Sequence, residues 1–75
     1  MIGLPSISGL DCIDALQKAG FNFIRQKGSH IIIRRDDPFS QVSVPNHKSL
    51  DRGTLRSIIC QTGLSLTEFN ELLKM

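Results

Sequence analysis

The chain has 75 residues, 40% of them hydrophobic, with four Phe, two Cys and neither Trp nor Tyr. One small domain, 1–75, is the expectation, burying about 60% of its unfolded surface and apolar enough to argue against disorder. The net charge is +2; no apolar run reaches the ~18 residues of a membrane span, no signal-peptide pattern opens the chain, and two cysteines are too few for a disulfide scaffold, so a cytoplasmic domain with no membrane contact is expected.

Met1 to Ile7, with Gly3 and Pro5, reads as an irregular lead-in. Ser8 is a candidate N-cap, with Asp11 at the capping-box position. Leu10, Cys12, Ile13, Leu16 and Ala19 then recur at helical spacing, and Gly20 fits the left-handed position that closes a helix, predicting a helix over residues 9–19. Phe21, Phe23 and Arg25 alternate with Asn22, Ile24 and Gln26, which is a strand pattern. Lys27-Gly28-Ser29 supplies a turn and His30–Arg35 a β-rich run. Asp36-Asp37-Pro38 marks a loop, and Gln41–Val44 a third strand stopped by Pro45.

Leu55, Ile58, Ile59 and Thr62 share a helical face, and Gly63 closes that turn. Ser65 and Glu68 form a capping box, and Leu64 and Phe69 a hydrophobic staple, for a last helix carrying Phe69, Leu72 and Leu73. The order is αβββα with the final helix divided near Gly63: an α+β fold. A three-stranded antiparallel sheet packs against helices on one face and leaves the other free for a partner.

The distribution of charge says more than its total. Seven cations lie between Arg25 and Arg56 against Asp36, Asp37 and Asp51, so this segment carries +4 and the remainder −2. Such clustering reads either as a phosphate-facing surface or as a solvated face. Cys12, His30, His47 and Cys60 lack zinc-type spacing, so no metal or cofactor is expected, and both cysteines read as reduced, core or near-core residues. Three Phe read as core, leaving Phe39 as the one candidate exposed ring.

Strand alternation groups His30 with Ile32 and Arg34, and Ile31 with Ile33. If the second pair faces the helices, His30 and Arg34 lie on the open, cationic face. An imidazole exchanges a proton near neutral pH, and RNA carries its own nucleophile in the ribose 2′-OH. A surface histidine and a plain hairpin glycine at Gly28 are the bland readings of the same residues.

Ala19-Gly20-Phe21, Arg25-Gln26-Lys27-Gly28-Ser29-His30, Val44-Pro45-Asn46-His47, Gly53-Thr54-Leu55-Arg56-Ser57-Ile58-Ile59 and Gln61-Thr62-Gly63-Leu64-Ser65 occur in the order found in the HicA toxins. The chain resembles that family from about Leu4 to Leu73. The resemblance implies a double-stranded-RNA-binding-domain-like fold and a ribonuclease of a type II toxin–antitoxin pair acting on messenger RNA, with His30 catalytic and a HicB-like antitoxin covering the site.

Combined with the residue chemistry, it assigns RNA contacts to Arg25, Lys27, Gly28, Ser29, Arg34, Arg35, His47, Lys48 and Arg56, His47 being a candidate second proton-transfer group. No metal is needed, the product carries a 2′,3′-cyclic phosphate, and the free toxin is expected to be monomeric. A non-catalytic RNA-binding module of the same fold is the alternative, and a pure protein-interaction role is a third reading.

Overall fold

Local signals set the element ends. In the computed structural model, which describes residues 6–75, the Ser8 hydroxyl accepts the Asp11 N–H at 3.0 Å and starts α1 (Gly9–Lys18). Gly20, at φ 100°, then turns the chain into β1 (Asn22–Lys27). Two tight turns link β1 to β2 (His30–Asp36) and β2 to β3 (Phe39–Pro45). Asp51 caps α2 (Arg52–Thr62), Gly63 ends it at φ 78°, and the Ser65–Glu68 capping box starts α3 (Leu66–Lys74). Residues 1–5, which hold most of the expected lead-in, lie outside the described residues.

The sheet is antiparallel in the order β1-β2-β3, and the architecture is the α+β, dsRBD-like αβββα arrangement with its last helix divided. Ile31 and Ile33 of β2 and Val42 and Val44 of β3 are buried on one face. They meet Cys12, Ile13, Ala15 and Leu16 of α1 and Leu55, Ile58 and Ile59 of α2 in one core, which Phe21, Leu50 and Phe69 complete. Burying each large apolar side chain contributes about 1.5–3 kcal/mol, so this layer fixes which way the strands face. Lys18 Nζ donates to the carbonyl oxygens of Leu72 at 3.2 Å and Met75 at 2.6 Å, tying α1 to the end of α3.

Four details depart from the sequence reading. β1 and β2 pair with a bulge, because Phe23 lies opposite Ile33 while Arg25 lies opposite Ile32. Ile24 is the extra residue, and it breaks the alternation that grouped Phe23 with Arg25. Phe23 shares the face of its partner Ile33 yet is 55% exposed and not part of the core, because β1 is an edge strand that the helices barely cover. The third strand begins at Phe39, two residues before the expected Gln41, because only Asp37 and Pro38 form the turn. Cys60 is exposed on α2, whereas burial pushes the Cys12 thiol up to about 12 and keeps it protonated.

Gly9 holds α1 against the end of β3. A Cβ there would overlap the Pro45 carbonyl oxygen, and the Gly9 N–H donates to the His47 carbonyl at 2.9 Å. A side chain at this position would force the two segments apart.

The cap of α2 carries a pH dependence. The Thr54 backbone N–H, 2.6 Å from Asp51 Oδ1, holds the Asp51 carboxyl below its ordinary range, with smaller help from the Thr54 side chain and from the charge of His47. A depressed folded pKa gives stability that is present above the unfolded value and lost as pH falls through the folded one. Denaturant midpoints measured from about pH 6 down to about pH 2 should therefore fall at the acid end. Asp51→Asn, which keeps a capping oxygen without the titration, should flatten that fall; an identical acid profile would contradict the assignment.

Candidate active site on the open sheet face

The face of the sheet turned away from the helices is built by register. Antiparallel partners share a face. Lys27, His30 and Pro45 form one row across the three strands, Arg25, Ile32 and Ser43 the next, and Asn22, Arg34 and Gln41 a third. Asp36 and Phe39 close the far end. His30 is exposed at the first position of β2, directly beside Lys27. The bulge at Ile24 is what brings Arg25 onto this face, opposite Ile32.

The turn before His30 is fixed by Gly28, whose φ of 61° at the first central position, with no positive φ at Ser29, is the type II′ pattern. Nothing lies within 4 Å of where a Gly28 Cβ would project, so the backbone there is open to approach. Gln26 Nε2 donates to the Gly28 carbonyl at 3.0 Å, and the Asn46 N–H donates to the Ser29 carbonyl at 2.6 Å. The first bond braces the turn from β1, and the second ties it to the segment that follows β3. Exposed His47 and Lys48 thus sit at the same end of the sheet as His30. His47 lies near enough to Asp51 to act on its carboxyl.

The expected contact residues divide. Arg25, Lys27, Gly28, Ser29, His30 and Arg34 come together on or beside the open face, with His47 and Lys48 at its rim. Arg34 Nε lies 3.0 Å from Asp36 Oδ1, an exposed pair worth no more than about 1 kcal/mol, so its remaining N–H donors stay available. Arg35 does not join them. It points to the helix side with Ile31 and Ile33, donating from its guanidinium to the Thr62 carbonyl at 2.9 Å and from Nε to the Pro38 carbonyl at 3.0 Å. Its Cζ lies 4.8 Å from the Phe21 ring centroid. Arg56 stands on α2 beside Ile59, Cys60, Leu64 and Leu66, in the helical layer.

Sequence reasoning missed Asn22, Gln41 and Ser43 as neighbours of the cations on this face. Alternation about buried Val42 and Val44 was the signal for Gln41 and Ser43. Among the described residues, no three His, Cys, Asp or Glu side chains cluster, and no helix is long and apolar enough to cross a membrane.

A small α+β domain with one sheet face covered by helices, and cations gathered round a histidine on the other, is the class that the fold and the site define. The family model described as the HicA toxin of bacterial toxin–antitoxin systems matches residues 9–64, three quarters of the chain. The chain belongs to the HicA toxin family and is a toxin-type component of such a system. The match holds every residue of the open face and stops before α3. No curated protein matches the chain significantly.

Arg35 separates structure from surface charge. Arg35→Ala removes two hydrogen bonds to a charged group and the contact with Phe21, so it should cost about 1.5–3 kcal/mol. Arg34→Ala should stay within about 0.5 kcal/mol. Urea midpoints check this, and equal losses for the two variants would contradict the placement.

Proposed function

We propose that the chain is a metal-independent endoribonuclease that cuts messenger RNA on the open sheet face, with His30 as its catalytic residue. The observation that carries this reading is the pairing of His30 with Lys27 across β1 and β2, on the face opposite the core. It sets a proton-exchanging imidazole beside a fixed positive charge.

The chemistry follows from the substrate. A base removes the proton of the ribose 2′-OH, and that oxygen attacks the adjacent phosphorus. The P–O5′ bond breaks, and the departing 5′-oxygen takes up a proton. The products are a 2′,3′-cyclic phosphate and a 5′-hydroxyl. The attacking and leaving oxygens lie on opposite sides of phosphorus, so His30 serves one of them, and water or His47 serves the other. Lys27 stabilises the charge that develops on the phosphate oxygens, while Arg34, two rows along the face and paired with Asp36, contacts backbone further from the cut. Arg25 and Lys48 hold the flanking backbone, and the open space at Gly28 and Ser29 admits it closely. The nucleophile belongs to the RNA, so the reaction requires no metal to generate one. Arg35 and Arg56, in the helical layer, take no part.

A HicB-like antitoxin silences such a toxin by covering the same face. Half-buried Ile32, between Arg25 and Ser43, gives that partner an apolar centre with a cationic rim. The free toxin is a monomer on this reading and acts in the cytoplasm, where its substrate is.

Wild type and His30→Ala, assayed on RNA with and without EDTA, provide the test. Loss of a general acid–base group should lower cutting by about 10²–10⁴-fold, with wild-type cutting unchanged by EDTA. Equal cutting by the variant would overturn the role of His30, and full loss in EDTA would overturn metal independence. RNA binding without any cutting by wild type would favour the non-catalytic module.

A further inference from the structure

The two ends of the open face differ in chemistry. Around His30 the face is cationic, with Lys27 and Arg25 in the nearest rows. At the other end, where β2 turns into β3, Phe39 stands opposite Asp36, next to Asp37. The Phe39 ring is 69% exposed, while Phe21 and Phe69 are 1% and 0% exposed within the core. Alternation about buried Ser40, Val42 and Val44 places Phe39 on the same face as His30. Six residue steps along β2, from His30 to Asp36, separate the two ends, about 20 Å of extended strand. That spans a few nucleotides of single-stranded RNA.

We propose that Phe39 is a stacking platform for one unpaired base of the bound RNA, a few nucleotides from the phosphate held at His30. This rests on the ribonuclease reading and adds the substrate class: unpaired rather than duplex RNA. An exposed aromatic ring on a polar sheet surface takes the face of a base, whichever base it is. The carboxylates beside it favour a base over a phosphate there. Asp36 is neutralised by Arg34 at 3.0 Å, and Asp37 repels phosphate but accepts hydrogen bonds from base amino groups. Between the two ends, Asn22, Gln41 and Ser43 offer donors and acceptors to the exposed edges of intervening bases. In a duplex those edges are paired and every base is already stacked, so Phe39 has nothing to receive.

The chain contains no Trp, so Phe39→Trp installs a single fluorophore at the proposed platform. In a His30→Ala background, which prevents cutting, this protein is titrated with a short unstructured RNA and with the same RNA in a duplex. The single strand should quench the tryptophan, and the duplex should not. Phe39→Ala in the same background should bind the single strand about five- to a hundredfold more weakly. Lys27→Ala should weaken binding to both RNAs, because it contacts phosphate.

Loss of affinity for Lys27→Ala with none for Phe39→Ala, or equal quenching by strand and duplex, overturns the Phe39 proposal and leaves the ribonuclease reading standing. If the protein neither binds nor cuts RNA, the ribonuclease reading fails and this proposal with it. Truncating an exposed ring leaves the core intact, and unfolding midpoints of the variants confirm that the comparison is between folded proteins.

Discussion

The burial of Ile31 and Ile33 against the helices is the constraint on which the rest of this protein depends. Strand side chains alternate with a period of two, so committing these isoleucines to the core sends His30, Ile32 and Arg34 to the other face. A slip of one residue would reverse every assignment, placing a histidine and an arginine in the core. Cysteine and leucine from α1, isoleucines from α2 and valines from β3 close around the two isoleucines and fix the register. Packing therefore determines the site, although no packing residue belongs to it. The neighbours of His30 are set by the same means, since pairing across β1 and β3 decides which side chains stand in its row.

Much of this was legible from the residues. Caps at Ser8 and Ser65, glycines at positive φ at positions 20, 28 and 63, and the apolar stripes of the helices each act within a few residues, where sequence is informative. The order αβββα and the grouping of His30 with Arg34 followed from them. The bulge at Ile24 was not legible, because alternation through Phe21, Phe23 and Arg25 is satisfied on paper by a regular strand. Only pairing with β2 reveals the extra residue, and the exposure of Phe23 follows from its place on an edge strand that the helices barely cover. Arg35 illustrates the opposite case. Its parity with Ile31 and Ile33 already placed it with the helices, but it was read by its charge. The structure gives that charge to the Thr62 and Pro38 carbonyls and the Phe21 ring.

The small net charge of +2 takes its meaning from this division. Arg35 and Arg56 belong to the helical layer, and Arg34 shares its charge with Asp36. The cations on the open face are fewer than the seven counted between residues 25 and 56, and two of them stand in the rows nearest His30. Arg25 reaches the face through the bulge, and Lys27 stands in the histidine's own row. The HicA family match over residues 9–64 includes this whole arrangement. On the proposed reading, Phe39 and the two aspartates extend the face into a surface with a phosphate end and a base end, which suits an unpaired strand lying along it.

The central claim is that the face supplies proton transfer and charge while the RNA supplies the nucleophile. Cleavage of an RNA oligonucleotide carrying one 2′-deoxyribose at the cut site, measured against the all-ribose oligonucleotide, tests it most directly. Cutting should vanish at the substituted position and persist elsewhere, with 2′,3′-cyclic phosphate and 5′-hydroxyl ends. Continued cutting at the deoxy position, leaving 5′-phosphate ends, would contradict the account.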